Sequence, residues 1–198
     1  FCVELVIVFD GLFLLRQKIL PLHQNLEQYG VFARIIQPSV NIMDYQKLLC
    51  VMFQFYSIVR LGLPSAVLNQ KYKNLYGTRL EALACDLSTL GYSLPSTGSI
   101  RTEPAFTSQS DDYLLGVLYA TEGTVLGGQV IIRHCQKVLG NQIEFAQQYF
   151  TGLITLPDKH WQETLLYIQK MLLNEKSAGS AVQGATAVFS CLEALAAE

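Results

Sequence analysis

Apolar residues recur along most of the chain at the three- to four-residue spacing of helices that bury one face. In the first such segment, about residues 10–30, the apolar stripe consists of Leu12, Leu15, Ile19, Leu22 and Leu26. No segment shows the alternation of apolar and polar residues that is typical of a half-buried strand. The pattern therefore predicts an all-α bundle, a single domain of about seven to nine helices.

Capping residues and helix breakers suggest where the other helices begin and end. We predict helices at about residues 44–61, 78–90, 111–139, 144–150, 158–175 and 180–196. Thr78 and Glu81 have the spacing of a capping box, and Gly140 is expected to end the helix at 111–139. Residues 91–110 are rich in Ser, Thr, Pro and Gly and predict a long connection, either mobile or functional. The whole chain, residues 1–198, is predicted to be one domain with residues 1–9 as an irregular extension.

Composition excludes several classes of function. Hydrophobic residues make up 51% of the chain, charged residues 15%, and the formal net charge is −2. Because no basic run occurs, we expect no nucleic acid partner. The five cysteines are scattered without a CxxC pair, which favours a reducing compartment over a disulfide framework. No stretch approaches the roughly 18 uninterrupted apolar residues of a membrane span, so we expect a cytoplasmic protein that does not bind membranes.

The helix predicted at residues 111–139 contains an unusual cluster of glycines, Gly123, Gly127 and Gly128. Each glycine inside a helix costs about 0.8–1 kcal/mol relative to alanine. Such a cluster is typical either of a close helix–helix crossing or of a ligand that lies flat against bare backbone. The sequence of this helix alone leaves both interpretations open.

The chain has only three histidines, His23, His134 and His160. His23 lies at the edge of the first apolar stripe, where it is either a boundary residue or a ligand to a metal cofactor such as haem iron. His134 follows Gly127 by seven residues and is a rival ligand, although the two adjacent glycines are expected to redirect the helix. His160 is expected to be structural.

None of the histidines is part of a Glu-x-x-His motif. The residues three positions before them are Leu20, Ile131 and Pro157. Di-iron carboxylate bundles require a glutamate at that spacing, which argues strongly against this class of helical metalloprotein.

Several motifs together resemble the haem oxygenase family. Leu15-Arg16-x6-His23-x3-Glu27 resembles the family's opening motif, and Gly116-x-Leu118-Tyr119-x2-Glu122-Gly123-Thr124-x-Leu126-Gly127-Gly128-Gln129 resembles its glycine helix. Arg79-Leu80-x2-Leu83-x2-Asp86-Leu87-x2-Leu90-Gly91 is similar to the bacterial branch that is associated with bacteriophytochromes. The resemblance spans roughly residues 12–195.

The resemblance implies that haem lies between the first helix and the glycine helix, with His23 as the axial ligand of the iron. The residues implied on the opposite, catalytic side are Gly123, Thr124, Gly127 and Gly128. The further residues implied to contact haem are Arg16, Glu27, Tyr119 and Arg133. The implied reaction cleaves haem to biliverdin, carbon monoxide and free iron. It uses O2 and an electron donor such as a ferredoxin or a flavoprotein reductase, and a link to a bacteriophytochrome is implied.

Two other interpretations remain open at this point. The chain could hold haem as a non-catalytic binding or sensing protein on the same fold, or its glycines could simply pack helices in an interaction module. Thr124 stands where animal members of the family carry an aspartate. Its hydroxyl either organises water at the oxygen side or bonds back to its own helix.

Overall fold

The computed structural model describes residues 9–62, 70–94, 106, 110–157 and 159–197. These residues form eight α-helices and one short 3-10 helix without any strand, so the predicted all-α class is confirmed. The helices are α1 (Gly11–Glu27), α2 (Gly30–Arg34), α3 (Ile42–Gly62), α4 (Gln70–Thr89), α5 (Asp111–Leu139), α6 (Gln148–Ile154), α7 (His160–Met171) and α8 (Glu175–Ala197). Most of the predicted connection at 91–110, and the predicted extension before Phe9, lie outside the described residues.

Local capping residues mark the start of α1 and both ends of α5. The carboxylate of Asp10 accepts a hydrogen bond from the backbone N–H of Phe13 at 2.9 Å and caps α1. The hydroxyl of Ser110 caps α5 in the same way. Gly140 ends α5 with a φ of +53°, a conformation that glycine adopts without a Cβ penalty.

Several predicted boundaries are wrong. Helix α1 ends at Glu27 rather than near residue 30, α7 ends at Met171 rather than near residue 175, and α8 begins at Glu175 rather than near residue 180. Helix α4 begins at Gln70, and Thr78 lies inside it, where its hydroxyl donates to the carbonyl of Asn74 at 3.2 Å. The helix predicted at 144–150 is also misplaced, because α6 begins only at Gln148 after a 3-10 helix at Gly140–Ile143.

The start of α6 is set by a residue that is distant in sequence. The buried carboxylate of Asp86 on α4 accepts hydrogen bonds from the backbone N–H groups of Gln148 and Tyr149 at 2.8 and 2.9 Å. These N–H groups belong to the first turn of α6, where no partner exists within the helix. Because the capping carboxylate comes from α4, the residues next to position 148 do not mark the start of α6.

Helix α5 runs through the protein and packs against α6, α7 and α8. Its crossing with α8 is close because glycines face it from both sides. A Cβ on Gly116 would overlap the carbonyl of Ala181, and a Cβ on Gly184 would overlap the carbonyl of Tyr113. Helix α8 also packs against α1 and α3, so it forms the centre of the bundle together with α5.

Two helical stretches, Asp111–Ile143 and Glu175–Ala197, are long and apolar enough to cross a membrane by length and composition alone. Both include many residues of the protein core, among them Leu118 on α5 and Val188 on α8. Since core helices meet the same criterion, the finding is weak evidence for a membrane location.

The α5–α8 crossing predicts opposite effects for two glycine-to-alanine substitutions. Gly116→Ala should lower the free energy of unfolding by about 2–3 kcal/mol or more, because its methyl group overlaps rigid backbone. Gly179→Ala on α8, where a Cβ meets nothing within 4 Å, should instead raise stability by about 0.5–1 kcal/mol. Urea unfolding of both variants measures the difference, and equal stabilities would contradict the close crossing.

Candidate functional site

The glycines of α5 separate into two groups with different surroundings. A Cβ on Gly128 would lie 2.7 Å from Cδ1 of Leu153 on α6, so this glycine permits helix packing. A Cβ on Gly127 would meet nothing within 4 Å, and one on Gly123 would meet only the Trp161 ring at 3.9 Å. Gly123 and Gly127 therefore leave bare backbone accessible, whereas Gly128 contacts α6.

Large apolar side chains border this bare backbone. Leu126 and Val130, which share the side of the helix with Gly127, are 49% and 61% exposed. We refer to Gly123, Leu126, Gly127 and Val130 as the open glycine face. Contiguous exposed apolar surface is a feature of sites that bind a ligand or a partner.

Aromatic side chains border the open glycine face at one end. The rings of Tyr119 on α5 and Trp161 on α7 lie 5.4 Å apart between their centroids. Tyr119 precedes Gly123 by one helical turn, and Trp161 is the residue nearest to Gly123. The two rings therefore limit how far a ligand on this face can extend along α5.

Helix α1 carries a second exposed apolar surface, which surrounds His23. Phe13 and Leu20 are 62% and 54% exposed, and the side chain of His23 is 55% exposed. Together with Arg16 and Glu27, which are also exposed, these residues are spaced by three or four positions and share one side of the helix.

The two nitrogens of His23 have different surroundings. Nδ1 lies 3.4 Å from Oε1 of Glu27, one turn further along α1. The ring also packs edge-on against Phe189 of α8, with 6.1 Å between the centroids. A proton on Nδ1 that is directed at Glu27 leaves the lone pair of Nε2 available to a metal, as in many histidine ligands whose second nitrogen contacts a carboxylate.

Helices α7 and α8 connect the two exposed surfaces, because each packs against both α1 and α5. Phe189 on α8 contacts the His23 ring, and Trp161 on α7 contacts Gly123. The predicted ligand histidine and the open glycine face thus share the same supporting helices.

The rival histidine, His134, already forms a hydrogen bond within the protein. Its Nε2 lies 2.9 Å from the backbone carbonyl of Gln37, which accepts a hydrogen bond from it. The helix continues without interruption through Gly127 and Gly128. His134 therefore ties α5 to the segment that follows α2. The predicted haem contact Arg133 is exposed beside it.

The hydroxyl of Thr124 forms a hydrogen bond to its own helix, which is the second of the two interpretations that the sequence left open. It donates to the carbonyl of Thr121 at 2.7 Å. The same oxygen lies 3.0 Å from the hydroxyl of Tyr56 on α3. Thr124 is half-buried and precedes Gly127 by three residues, so it stands between the protein core and the open glycine face.

A buried ionic cluster lies behind Thr124, and it includes His160, which the sequence predicts to be structural. Arg79 on α4 donates two hydrogen bonds to the carboxylate of Glu122 on α5, at 3.0 and 2.9 Å. His160 at the start of α7 contacts the same carboxylate through Nε2 at 2.6 Å. Arg79 and His160 are each 4% exposed, and Glu122 is fully buried.

A signal for this cluster was present in the sequence. Arg79 and Glu122 both belong to the motifs that carry the resemblance, and Glu122 is an acidic residue inside an otherwise apolar helix. A charged residue at such a position is buried only when it is paired. The residue with which it pairs could not be read from the sequence, because the partners lie 43 and 38 positions away.

The ionic cluster holds Glu122 in its charged form. Burial alone would raise the pKa of Glu122, but the positive charge of Arg79 and the hydrogen bonds from His160 and Arg79 lower it below its ordinary value. Burial raises the pKa of the neighbouring Tyr76 well above the ordinary value, which keeps this phenol neutral. The guanidinium of Arg79 lies over the rings of both Tyr56 and Tyr76, at 5.3 and 5.5 Å.

No group of three or more His, Cys, Asp and Glu side chains within the described residues could hold a metal ion.

Comparisons with known proteins identify a family and a similar fold. Residues 12–198 match the family described as heme oxygenase. A crystal structure of the NO- and CO-bound heme oxygenase from Neisseria meningitidis has a similar fold, with a TM-score of 0.64 and 20% sequence identity over 95% of this chain and 90% of that one. A search of curated proteins finds no match.

The ionic cluster predicts a large and pH-dependent effect of Glu122→Gln. Removing the carboxylate leaves Arg79 buried without a counter-charge, which should lower the free energy of unfolding at neutral pH by about 3–5 kcal/mol. Because folding lowers the pKa of Glu122, the ion pair stabilises the wild type above the ordinary pKa of 4.5, and this stabilisation is lost as the pH falls below that value.

The difference between wild type and Glu122→Gln should therefore shrink in acid. Urea unfolding at a series of pH values measures it. Glu81→Gln, an exposed change on α4, is the control and should alter stability by no more than about 0.5 kcal/mol. A difference that does not depend on pH would contradict the charged state of Glu122.

Proposed function

Because the chain belongs to the haem oxygenase family and degrades haem, we propose that haem lies between α1 and the open glycine face of α5. The bare backbone at Gly127, where an added Cβ would meet nothing within 4 Å, is the observation that carries this proposal. A side chain at this position would stand between the helix and a flat ligand. The porphyrin would cover the exposed apolar residues Phe13 and Leu20 on one side and Leu126 and Val130 on the other.

His23 is the proposed ligand of the iron. Its exposed ring is positioned by Phe189, and Glu27 faces its Nδ1, so Nε2 is the nitrogen that would bind the metal. A carboxylate at Nδ1 fixes the tautomer and raises the basicity of the ligand nitrogen. Glu27 thus acts on the iron through His23 in this proposal rather than by touching haem.

Haem, when bound, supplies both the iron that activates O2 and the porphyrin carbon that is oxidised. The protein's part on the oxygen side is to bring backbone close at Gly123 and Gly127, which a Cβ would prevent. None of the four residues of the open glycine face ionises, so this face supplies no side-chain acid to cleave the O–O bond prematurely. Thr124 lies beside it and offers a hydroxyl oxygen.

Three further residues are proposed to contact the edge of the haem. Arg16 precedes His23 by seven residues on the same exposed side of α1 and would pair with a propionate. Arg133 would offer a second cation beyond the glycines, and Tyr119 would contact the porphyrin edge next to Trp161. Gly128, by contrast, would act indirectly, by allowing α5 to pack closely on α6.

We further propose that the products are biliverdin, carbon monoxide and iron, and that the protein belongs to the branch associated with bacteriophytochromes. The ion pair between Arg79 and Glu122 supports this assignment, because it joins two separate motifs on which the resemblance to that branch rests. A ferredoxin or a flavoprotein reductase is the proposed electron donor.

The proposal predicts that His23 and His134 differ in their effect on haem binding. In a titration with hemin, His23→Ala should lower the affinity at least about tenfold or shift the Soret band, since it removes the axial ligand. His134→Ala is the matched control and should leave the Soret band unchanged, because its ring is engaged with Gln37. An unchanged Soret band and affinity in His23→Ala would overturn the proposed ligand.

Turnover tests the reaction itself. The haem complex of the wild type, supplied with ascorbate or a ferredoxin system under O2, should lose its Soret band and develop the absorbance of biliverdin. Stable haem without bile pigment would favour the non-catalytic haem-binding alternative.

A further inference from the structure

The open glycine face is bounded at one end and unbounded at the other. At Gly123, an added Cβ would lie 3.9 Å from Cη2 of Trp161, an atom at the tip of the indole. At Gly127, one turn or about 5.4 Å further along α5, an added Cβ would meet nothing within 4 Å. Trp161 therefore forms a wall at the Gly123 end, and among the described residues this wall has no counterpart within 4 Å of the Cβ position at Gly127.

Contacts on two sides hold this wall in place. His160, the residue before Trp161, is buried, and its Nε2 contacts the carboxylate of Glu122 on α5 at 2.6 Å. The ring of Tyr119, also on α5, packs against the indole with 5.4 Å between the centroids. The indole is half-buried and has only two side-chain torsions. Trp161 is thus a rigid boundary rather than a side chain that moves aside for a ligand.

A flat ligand of the size of a porphyrin must meet this wall. The porphyrin ring is wider than the single turn between Gly123 and Gly127, so it covers both glycines when it lies on the open glycine face. Towards Gly127 the ring can shift, whereas towards Gly123 its edge reaches the indole. The four bridging carbons of the ring have the same bonding, so their position relative to the bare backbone depends on where the edge stops.

We infer that Trp161 is a specificity-determining residue, whose indole sets how haem is seated along α5 and thereby which bridging carbon is cleaved. The inference rests on the proposed position of haem at the open glycine face. It assigns this choice to an apolar contact at one end of the site, in addition to the charge pairs proposed for Arg16 and Arg133.

The seating of haem can be measured without turnover. In the ferric cyanide complex, proton NMR resolves the haem methyl groups, and the pattern of their shifts depends on how the ring is rotated relative to the axial histidine. Trp161→Phe keeps an aromatic wall and should keep the wild-type pattern. Trp161→Ala removes the wall, so at saturating hemin the pattern should be displaced or a second pattern should appear.

The products report the same change. Since one methylene group in an apolar pocket already changes selectivity by about tenfold or more, Trp161→Ala should raise the ratio of minor to major biliverdin isomers at least about tenfold. Chromatography of the extracted pigment measures this ratio. Phe145→Ala is the matched control, because it removes an aromatic side chain that is 75% exposed and lies between the 3-10 helix and α6. It should change neither the methyl pattern nor the isomer ratio.

Each outcome decides between the inference and its failure. An unchanged isomer ratio in Trp161→Ala overturns the inference while the haem proposal stands, whether or not the methyl pattern changes. A Trp161→Phe variant that differs from the wild type as much as Trp161→Ala does also overturns it. If the wild type develops no Soret band with hemin, the haem proposal fails and the inference fails with it.

Circular dichroism and thermal unfolding check that Trp161→Ala folds. If it does not fold, or does not bind hemin, Trp161→Leu takes its place, since leucine keeps an apolar contact with Tyr119 but is shorter than the indole. The inference then requires a changed methyl pattern and a raised isomer ratio in Trp161→Leu. Wild-type values in this variant would overturn it.

Discussion

Helix α5 must approach two neighbouring helices closely and still keep part of its backbone open, and the remaining structure depends on this requirement. Gly116 allows the crossing with α8, and Gly128 allows the packing on α6. Gly123 and Gly127, further along the same helix, leave their backbone bare. The cost of so many glycines in one helix is offset by burial on both packed sides, where Leu118 and Val125 belong to the core. The bare backbone at Gly123 and Gly127 gains no such packing, which is why we propose a ligand there.

The buried cluster of Arg79, Glu122 and His160 complements this arrangement. It joins α4, α5 and α7 at one point and fixes the side of α5 that faces away from the open backbone. Removing two charges from water is expensive, and such clusters are weak evidence for stability by themselves. Their geometry is well defined, however, and here it extends through Tyr56 to Thr124 at the edge of the site. The cluster thus connects the packing of the bundle to the polarity of the site.

The parts of the structure that depend on local sequence could be predicted, and the parts that depend on distant partners could not. The apolar spacing and the caps at Asp10, Ser110 and Gly140 identify α1 and α5 from nearby residues. The start of α6 depends instead on Asp86, and its position could not be derived from neighbouring residues. For the same reason, Thr78 satisfied a capping pattern although it lies inside α4.

The candidate site shows the same division. The motifs identify His23 and the glycine cluster, but they do not distinguish the packing glycine Gly128 from the open Gly127, since this depends on where α6 lies. They also do not show that Arg79 contacts Tyr56 and that Tyr56 contacts Thr124, because these residues come from α4, α3 and α5. The roles of the individual residues toward haem stay predictions.

The central claim is that the bare backbone of α5 serves a ligand, and Gly127→Ala tests it most directly. A methyl group there meets nothing within 4 Å, so the haem-free protein should gain about 0.5–1 kcal/mol from the better helix former. The same methyl group should stand against the porphyrin and lower the affinity for hemin. Unfolding of the haem-free protein should therefore show a higher stability, and hemin titration should show a lower affinity. A variant that is more stable and binds hemin as tightly as the wild type would contradict the claim.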